Sequence, residues 1–183
     1  MGGHRTISTL VALLRGINVG GHNRLPMATL RELVGSLGGR QVQTYIQSGN
    51  VVLSATPTVA DGFADKLTTA IAERCGFRSE VIVRTRADLE RIARTHPFAD
   101  RGIPDKLLHI VFLRESPTAE KLQALQETVK DELLHHRGRE LYIGYPNGSA
   151  RSRVRFDRLG RGWTSRNVRS VRAILELAAR RAV

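Results

Sequence analysis

An unbroken apolar run near the start of the chain is followed at once by a glycine-rich loop and a helix. Thr9–Leu14 contains five apolar residues in succession, which is typical of a strand that is covered on both faces and central in its sheet. Three glycines lie in the next seven residues, and Pro26 then occupies the first turn of a helix, where its missing N–H is tolerated. A buried strand that leads through a loop into a helix predicts the beginning of an α+β domain.

The segments that follow complete one recognisable unit. Residues 41–53 alternate between polar and apolar side chains, and Ser48-Gly49-Asn50 interrupts the alternation, which predicts a β-hairpin. Apolar residues at helical spacing predict a helix over 58–75, and the apolar segment 80–84 predicts a strand. The resulting order, β-α-β-β-α-β, is that of ferredoxin-like domains.

The rest of the chain predicts a second unit of the same kind. After a connecting helix at 86–95, the predicted elements are a strand at 107–113, a helix at 117–135, a strand at 140–145, a short strand at 151–156 and a closing helix at 165–181. The predicted fold class is therefore α+β, with two tandem ferredoxin-like (βαββαβ-type) halves and antiparallel sheets. Residues 1–85 form the half with the glycine-rich loop, and residues 86–183 form the half with the basic C-terminal helix.

The chain is strongly basic, and the excess charge is concentrated near its end. The 183 residues include 29 basic and 17 acidic side chains, a formal net charge of +12, and residues 151–183 contain ten arginines against two acidic residues. A charge of this size favours polyanions as partners, such as phosphate-bearing small molecules or nucleic acid. Because only four of the 29 basic residues are lysine, a compositional bias toward arginine explains the charge equally well.

Cysteine usage and hydropathy limit which covalent links, metal sites and cellular compartment the sequence predicts. Cys75 is the only cysteine, so neither an internal disulfide nor a cysteine-based metal site is predicted. No apolar run approaches the roughly 20 residues that span a bilayer. We therefore expect a cytoplasmic protein with no membrane partner.

Four sequence blocks resemble a known family. They are Leu13–Gly21 with Pro26-Met27, Thr44–Val52, His96-Pro97-Phe98, and Thr164–Asn167. Together they make the chain, from about Leu10 to Ala178, similar to the bacterial DUF1697 family of proteins of unknown function. The resemblance implies a two-part ferredoxin-like α+β fold in a soluble protein, and it supplies neither a substrate nor a catalytic residue.

The glycine-rich loop is the first candidate for a binding site. Backbone N–H groups that lie beside the N-terminus of a helix attract phosphate or carboxylate groups. Arg15 and Arg24 flank the loop, and Asn18 and Asn23 add neutral donors. The glycine spacing matches neither the P-loop nor the dinucleotide fingerprint, and a tight structural crossing explains the glycines equally well.

Two further segments are candidates to lie beside this loop. The Gln47–Asn50 turn presents polar groups at a sheet edge, although glycine and asparagine are also what a tight turn requires. Thr164 or Ser165 is predicted as an N-cap, which places Arg166 and Asn167 in the first turn of the last helix, where arginine opposes the helix dipole. The predicted ligand-binding residues are Arg15, Gly16, Asn18, Gly20, Gly21, Asn23, Arg24, Gln47, Ser48, Asn50, Arg166 and Asn167.

These observations support three hypotheses about function. The first is a protein that binds an anionic, phosphate-bearing ligand or nucleic acid. The second is an enzyme that acts on a small phosphorylated or nucleotide-like substrate with His22 or Ser48, and the third is a structural or oligomeric protein without a ligand. The first strand has no aromatic residues for base stacking, so an RNA-recognition motif is not predicted. The sequence identifies no cofactor, no catalytic residue and no oligomeric state.

Overall fold

The computed structural model describes residues 7–180, which form two four-stranded antiparallel sheets with helices. The first set of elements is β1 Ser8–Leu14, α1 Met27–Ser36, β2 Arg40–Tyr45, β3 Asn50–Ala55, α2 Pro57–Ala60, α3 Phe63–Cys75, β4 Val81–Thr85 and α4 Arg86–Arg94. The second is β5 Leu108–Leu113, α5 Ala119–Gln126, β6 Leu133–Arg137, β7 Glu140–Gly144, a 3₁₀ turn at Phe156–Leu159, β8 Trp163–Asn167 and α6 Val168–Ala179.

The first sheet has the strand order β2-β3-β1-β4, so β1 is central as its unbroken apolar run predicts. Val11 lies opposite Val52 on one side and opposite Arg84 on the other. The last five residues of β1 are all buried, which confirms that both faces of this strand are covered. Helices α1 and α3 pack on one face, where Leu30 and Leu67 join alternate residues of β1 in a single apolar core.

The second sheet has the order β6-β7-β5-β8, which repeats that of the first sheet. Its apolar core on one face includes Val111 and Leu141 from the sheet and Leu125 from α5. Each half is therefore β-α-β-β-α-β-like, with the 3₁₀ turn in place of the second helix in the later half. The prediction of an α+β fold with two ferredoxin-like halves is confirmed.

The described residues divide into two compact units. The first unit comprises the residues up to Glu90 together with those from Ala173 onward, and the second comprises Arg91–Arg172. The 15–24 segment and the 47–50 turn lie in the first unit, whereas Arg166 and Asn167 lie in the second.

The predicted helix over 117–135 is wrong. Helix α5 ends at Gln126, and the chain turns there because the Thr128 hydroxyl donates a hydrogen bond to the Leu125 carbonyl at 2.7 Å. The Leu133-Leu134 pair, which fits a helical face by spacing, lies in β6 and pairs with β7. Pairing with a distant strand overrides local helix propensity in this segment.

Three further boundaries differ from the predictions. Residues 151–156 form no strand, because the Val154 N–H turns back to the Ser152 hydroxyl at 3.3 Å instead of pairing. The predicted helix over 58–75 is divided into α2 and α3 at Gly62, which has a positive φ of 63°. The predicted helix over 165–181 begins only at Val168, because the preceding residues form β8.

Candidate functional site

The glycine-rich loop, residues 15–25, is built around a miniature hairpin. The Asn18 N–H donates to the Asn23 carbonyl at 3.1 Å, and the His22 N–H donates to the Val19 carbonyl at 2.9 Å. The two residues between Val19 and His22 are Gly20 and Gly21, whose φ angles of 57° and 79° are both positive. Positive φ at both central residues is the requirement of a type I′ turn, so the glycine pair has a structural cause.

Asn18 joins this loop to the neighbouring turn. Its side-chain amide donates to the Leu25 carbonyl and to the Gln47 carbonyl, each at 2.9 Å. Its side-chain oxygen accepts a hydrogen bond from the Leu25 N–H at 2.9 Å. One asparagine therefore holds both the base of the loop and the turn between β2 and β3, which brings two of the three predicted segments together.

Asn23 supports the same loop. Its side-chain amide donates to the Gly16 carbonyl at 2.9 Å, and both residues have positive φ angles, 50° and 65°. Asparagine and glycine tolerate this left-handed conformation better than other residues. The loop is thus held by the side-chain amides of Asn18 and Asn23, and its backbone path requires the positive φ of Gly16.

The turn between β2 and β3 packs directly under the loop. The Gly49 carbonyl accepts a hydrogen bond from the Leu14 N–H at 2.8 Å. A Cβ atom at Gly49 would lie 2.6 Å from the Leu14 Cβ and 2.9 Å from the Ile17 Cδ1, and its φ is +79°. Asn50 is fully buried and donates to the Tyr45 carbonyl and the Ser48 hydroxyl. The close approach requires glycine, and Asn50 organises the turn from within.

Basic and polar side chains remain accessible around this hairpin. Arg24 and Gln47 are exposed, whereas Arg15 is partly buried, and this burial lowers the Arg15 pKa against the opposing effect of Glu80. Among residues 7–180, no acceptor takes the N–H groups of Gly20 or Gly21, which are exposed. Two arginines and two accessible amide donors therefore lie within a ten-residue segment.

Exposed apolar residues accompany these groups. Val19 is 65% exposed, and Ile46, directly before the turn, is 52% exposed. Ile46 also has a positive φ of 46°, which is strained for a β-branched residue. Neither residue was predicted from the sequence as part of the site, since an isolated apolar residue carries no signal of exposure or strain.

Ser79 is another residue that sequence reasoning missed. Its hydroxyl donates to the Arg15 carbonyl at 2.9 Å, and the Arg15 N–H donates to the Glu80 carbonyl at 2.9 Å. These bonds hold the start of the loop against the entry to β4. The contact joins residues 64 positions apart, so it follows from the strand pairing alone.

Arg166 does not lie at a helix start, which corrects the sequence prediction. It belongs to β8, opposite Ile110, and is only 9% exposed. Its guanidinium donates to the Thr164 hydroxyl at 2.9 Å and to the Ser165 carbonyl at 2.7 Å. Burial lowers the Arg166 pKa to about 10. The helix cap is Asn167 instead, whose side chain accepts from the Ser170 N–H at 2.8 Å.

The two side chains considered for catalysis differ in their surroundings. His22 is exposed, and its imidazole makes no hydrogen bond or ion pair with any residue between 7 and 180. The Ser48 hydroxyl accepts a hydrogen bond from Asn50 at 2.9 Å. A general base needs a partner that orients it and a nucleophile within hydrogen-bond reach. Nothing in the described residues orients His22 in that way.

Within residues 7–180, no group of three or more His, Cys, Asp or Glu side chains is placed to hold a metal ion. None of the helices in that part of the chain has both the length and the apolar character needed to cross a bilayer.

Comparisons with known proteins identify a family and a similar solved structure. Residues 7–142 match the family model described as "Protein of unknown function (DUF1697)". The conserved bacterial protein SP0830 from Streptococcus pneumoniae has a similar solved structure, with a TM-score of 0.73 and 26% sequence identity; the match covers 94% of this chain and 99% of that one. A comparison with curated proteins finds no significant match. The resemblance inferred from the sequence blocks is confirmed.

Proposed function

Because the chain belongs to the DUF1697 family, proteins of unknown function, we propose from the geometry of its loop that it binds phosphate-bearing anions, including nucleic acid. The observation that carries this proposal is the double anchoring by Asn18, whose amide holds the loop and the Gln47 carbonyl at the same time. This anchoring keeps the hairpin of residues 18–23 in one conformation, with Arg15 before it in the chain and Arg24 directly after it. Preorganised donors lose little entropy when an anion binds.

Each group in the loop has a defined part in this proposal. The N–H groups of Gly20 and Gly21 supply neutral donors, and Arg15 and Arg24 supply charge. Gln47 and Ser48 line the adjacent turn, whereas Asn18, Asn23 and Asn50 maintain the backbone. Arg166 and Asn167 are not part of the proposed site, because the first is buried in a strand and the second caps a helix.

The accessible position of the loop determines the kind of binding. Exposed charges are screened within about 8 Å at physiological ionic strength, so binding to this surface depends strongly on salt. Two arginines that each contact one phosphate contribute about two units to the slope of log affinity against log salt concentration. We expect weak sequence preference, since phosphate contacts carry no base information.

The test compares two double variants of equal charge. Arg15→Ala/Arg24→Ala removes the loop cations, and Arg40→Ala/Arg74→Ala removes two exposed arginines elsewhere in the first unit. Fluorescence anisotropy with labelled single-stranded and double-stranded oligonucleotides, at several salt concentrations, measures affinity and salt slope. We expect the loop variant to lose about tenfold in affinity and about two units of slope, and the control to lose much less.

Equal affinities for the two variants would reject the proposal, as would a parent protein with no salt-dependent binding. Because Arg15 is partly buried, thermal unfolding must first show that the loop variant is folded. If the loop variant is not folded, the single variant Arg24→Glu, at an exposed position, provides a second measurement.

A second candidate function, self-association of the chain, is favoured by the exposure of Val19 and Ile46. Exposed apolar residues beside basic ones are common at interfaces, and Ile46 is strained in addition. Sedimentation of the parent and of Val19→Ser/Ile46→Gly tests self-association. A parent that stays monomeric throughout the concentration range of the binding assay would reject the oligomeric role.

A further inference from the structure

A cavity of about 290 Å³ lies in the second unit, beside the connection between β5 and α5. Three segments enclose it: the end of β5 with the following loop, the first turn of α5, and the turn before β8. The residues that matter for its chemistry are Arg114, Glu115, Lys121, Gly160, Arg161 and Gly162. None of them belongs to the loop site of the first unit.

Backbone hydrogen bonds hold the walls of this cavity in place. The Arg114 N–H donates to the Gly162 carbonyl at 2.8 Å, which ties the β5 exit to the entry of β8. The Trp163 indole N–H donates to the Gly160 carbonyl at 3.1 Å and closes the turn from the other side. Two walls of this partly open cavity are therefore held by hydrogen bonds to the backbone carbonyls of Gly160 and Gly162.

Two glycines keep the space free of side chains. Gly160 has φ 86° and ψ −147°, a conformation close to one that is essentially restricted to glycine. A Cβ atom at Gly160 would lie 3.8 Å from the Lys121 Nζ, and one at Gly162 would lie 3.1 Å from the Arg114 Cβ. A side chain at Gly162 would therefore crowd Arg114, whereas one at Gly160 would reach ordinary contact with Lys121 and require an unfavourable backbone conformation.

The charge of the lining is positive. The lining includes three cationic side chains, those of Arg114, Lys121 and Arg161, and one carboxylate, that of Glu115. Lys121 lies in the first turn of α5, where the Thr118 hydroxyl accepts its N–H at 3.3 Å and where a positive charge opposes the helix dipole. An anion bound beside Lys121 would offset this unfavourable dipole interaction.

The floor of the cavity is apolar, since Leu113 and Leu159 are 3% and 8% exposed and belong to the core below. The volume corresponds to about ten water molecules at roughly 30 Å³ each, which suits a phosphate group with a small organic substituent. It is at the lower end of the range for small-molecule sites, about 300–1,000 Å³.

We propose that this cavity binds a phosphate dianion, either free or carried by a small molecule, through Arg114, Lys121 and Arg161. The carrier, where there is one, lies against the apolar floor. The proposal is independent of the proposed function of the first unit, because the two sites share no residue and each can be removed separately.

The test uses residue-specific detection. ¹⁵N–¹H NMR spectra of the full chain are recorded during titration with inorganic phosphate, with glycerol 3-phosphate, and with glycerol as a neutral control. Lys121→Gln/Arg161→Gln removes two cavity cations, and Lys130→Gln/Arg153→Gln removes two exposed cations of the same unit as the matched control. The Arg15→Ala/Arg24→Ala variant is titrated in parallel.

We expect saturable shifts of the amides in 114–121 and 160–162, with affinity about tenfold weaker in the cavity variant and nearly unchanged in the other two variants. Tighter binding of glycerol 3-phosphate than of inorganic phosphate would show that the carrier contributes, and equal binding would assign the site to free phosphate. Shifts that do not saturate, that occur with glycerol, or that are lost equally in the cavity and control variants would overturn the proposal.

Discussion

The two halves of the chain anchor the end of their first strand with the same pair of backbone hydrogen bonds. After β1, the Leu14 N–H donates to Gly49 and the Arg15 N–H donates to Glu80. After β5, the Leu113 N–H donates to Arg139 and the Arg114 N–H donates to Gly162. In each half the acceptors directly precede the third and the fourth strand. An arginine thus begins the strand-to-helix connection at the same topological position in both halves.

The last strand of each half also repeats one arrangement. Arg84 of β4 and Arg166 of β8 are both buried, and each donates to the carbonyl of the residue before it, at 3.0 and 2.7 Å. The next residue caps the following helix: Thr85 accepts from the Asp88 N–H, and Asn167 accepts from the Ser170 N–H. The recurrence gives the burial of Arg166 a structural explanation, since the same position is buried in both halves.

The halves differ in the connection that follows the anchored arginine. In the first half it extends over residues 15–26 and folds into a hairpin. In the second half it is only residues 114–118, and the cavity opens beside it. The same topology therefore offers an exposed hairpin in one half and a partly open cavity in the other, at connections of different length.

The largest expected effect concerns the glycine under the hairpin. Gly49→Ala combines a clash with Leu14 and a left-handed backbone, so we expect a loss of about 3 kcal/mol or more in the free energy of unfolding. The turn between β6 and β7 provides the control: Gly138 has a φ of 60°, but a Cβ atom there meets nothing within 4 Å. Gly138→Ala should therefore cost only about 1 kcal/mol.

Urea denaturation of both variants measures this difference. Similar losses for the two positions would mean that the turns of the two halves are equivalent, and that close packing under the hairpin contributes nothing beyond backbone strain.

A smaller effect is expected for the asparagine that anchors the hairpin. Asn18→Gly removes three hydrogen bonds without steric conflict at its positive φ, and should cost about 2–3 kcal/mol. Asn23→Gly removes one hydrogen bond and should cost about 1 kcal/mol. Amide hydrogen exchange should show faster opening of residues 18–25 in the first variant, with the exchange of β5 and β7 unchanged. Equal effects of the two substitutions would contradict the anchoring role of Asn18.

The smallest expected effect is a pH dependence of the second unit. Burial lowers the pKa of both His96 and His109 below the ordinary value of 6.5, although hydrogen bonds to backbone carbonyls partly oppose the shift. The unfolded chain consequently binds more protons than the folded one at moderately acidic pH. Stability from these groups is present above pH 6.5 and is lost as the pH falls below it.

Thermal unfolding between pH 7.5 and pH 5 measures that loss. His96→Gln/His109→Gln should reduce the slope of stability against pH, whereas substitution of the exposed His135 by Gln should leave it unchanged. A double variant with the parent's slope would assign the acid sensitivity to other groups.

The elements that the sequence predicts well are those with a strong local pattern. The apolar run of β1, the hairpin around Gly49 and the helix after Pro26 were all identified from periodicity and turn residues. The elements that it predicts poorly, β6 and β8, are edge strands whose short segments fit a helix equally well. Their state depends on β7 and β5, the neighbours with which they pair.

The candidate sites also include some features that the sequence predicts and others that it does not. That the loop and the 47–50 turn are neighbours was an expectation from the sequence, and the Asn18 amide joins them. The cavity between Arg114 and Arg161 had no sequence signal, because its residues come from two separate segments, 113–121 and 159–162, with β6 and β7 between them. Likewise, no local pattern distinguishes an arginine in a first helical turn from one buried in a strand.

The sequence by itself determined the fold class, the central strand, the glycine turns and the excess of positive charge, since these follow from local periodicity, backbone freedom and composition. Only the tertiary structure decided which polar groups are used internally and which are accessible. Asn18, Asn50 and Arg166 bond within the protein, whereas Arg24 and Lys121 are exposed. The physical reason is that burial and hydrogen bonding depend on residues distant in the chain, which are brought together only when the strands pair.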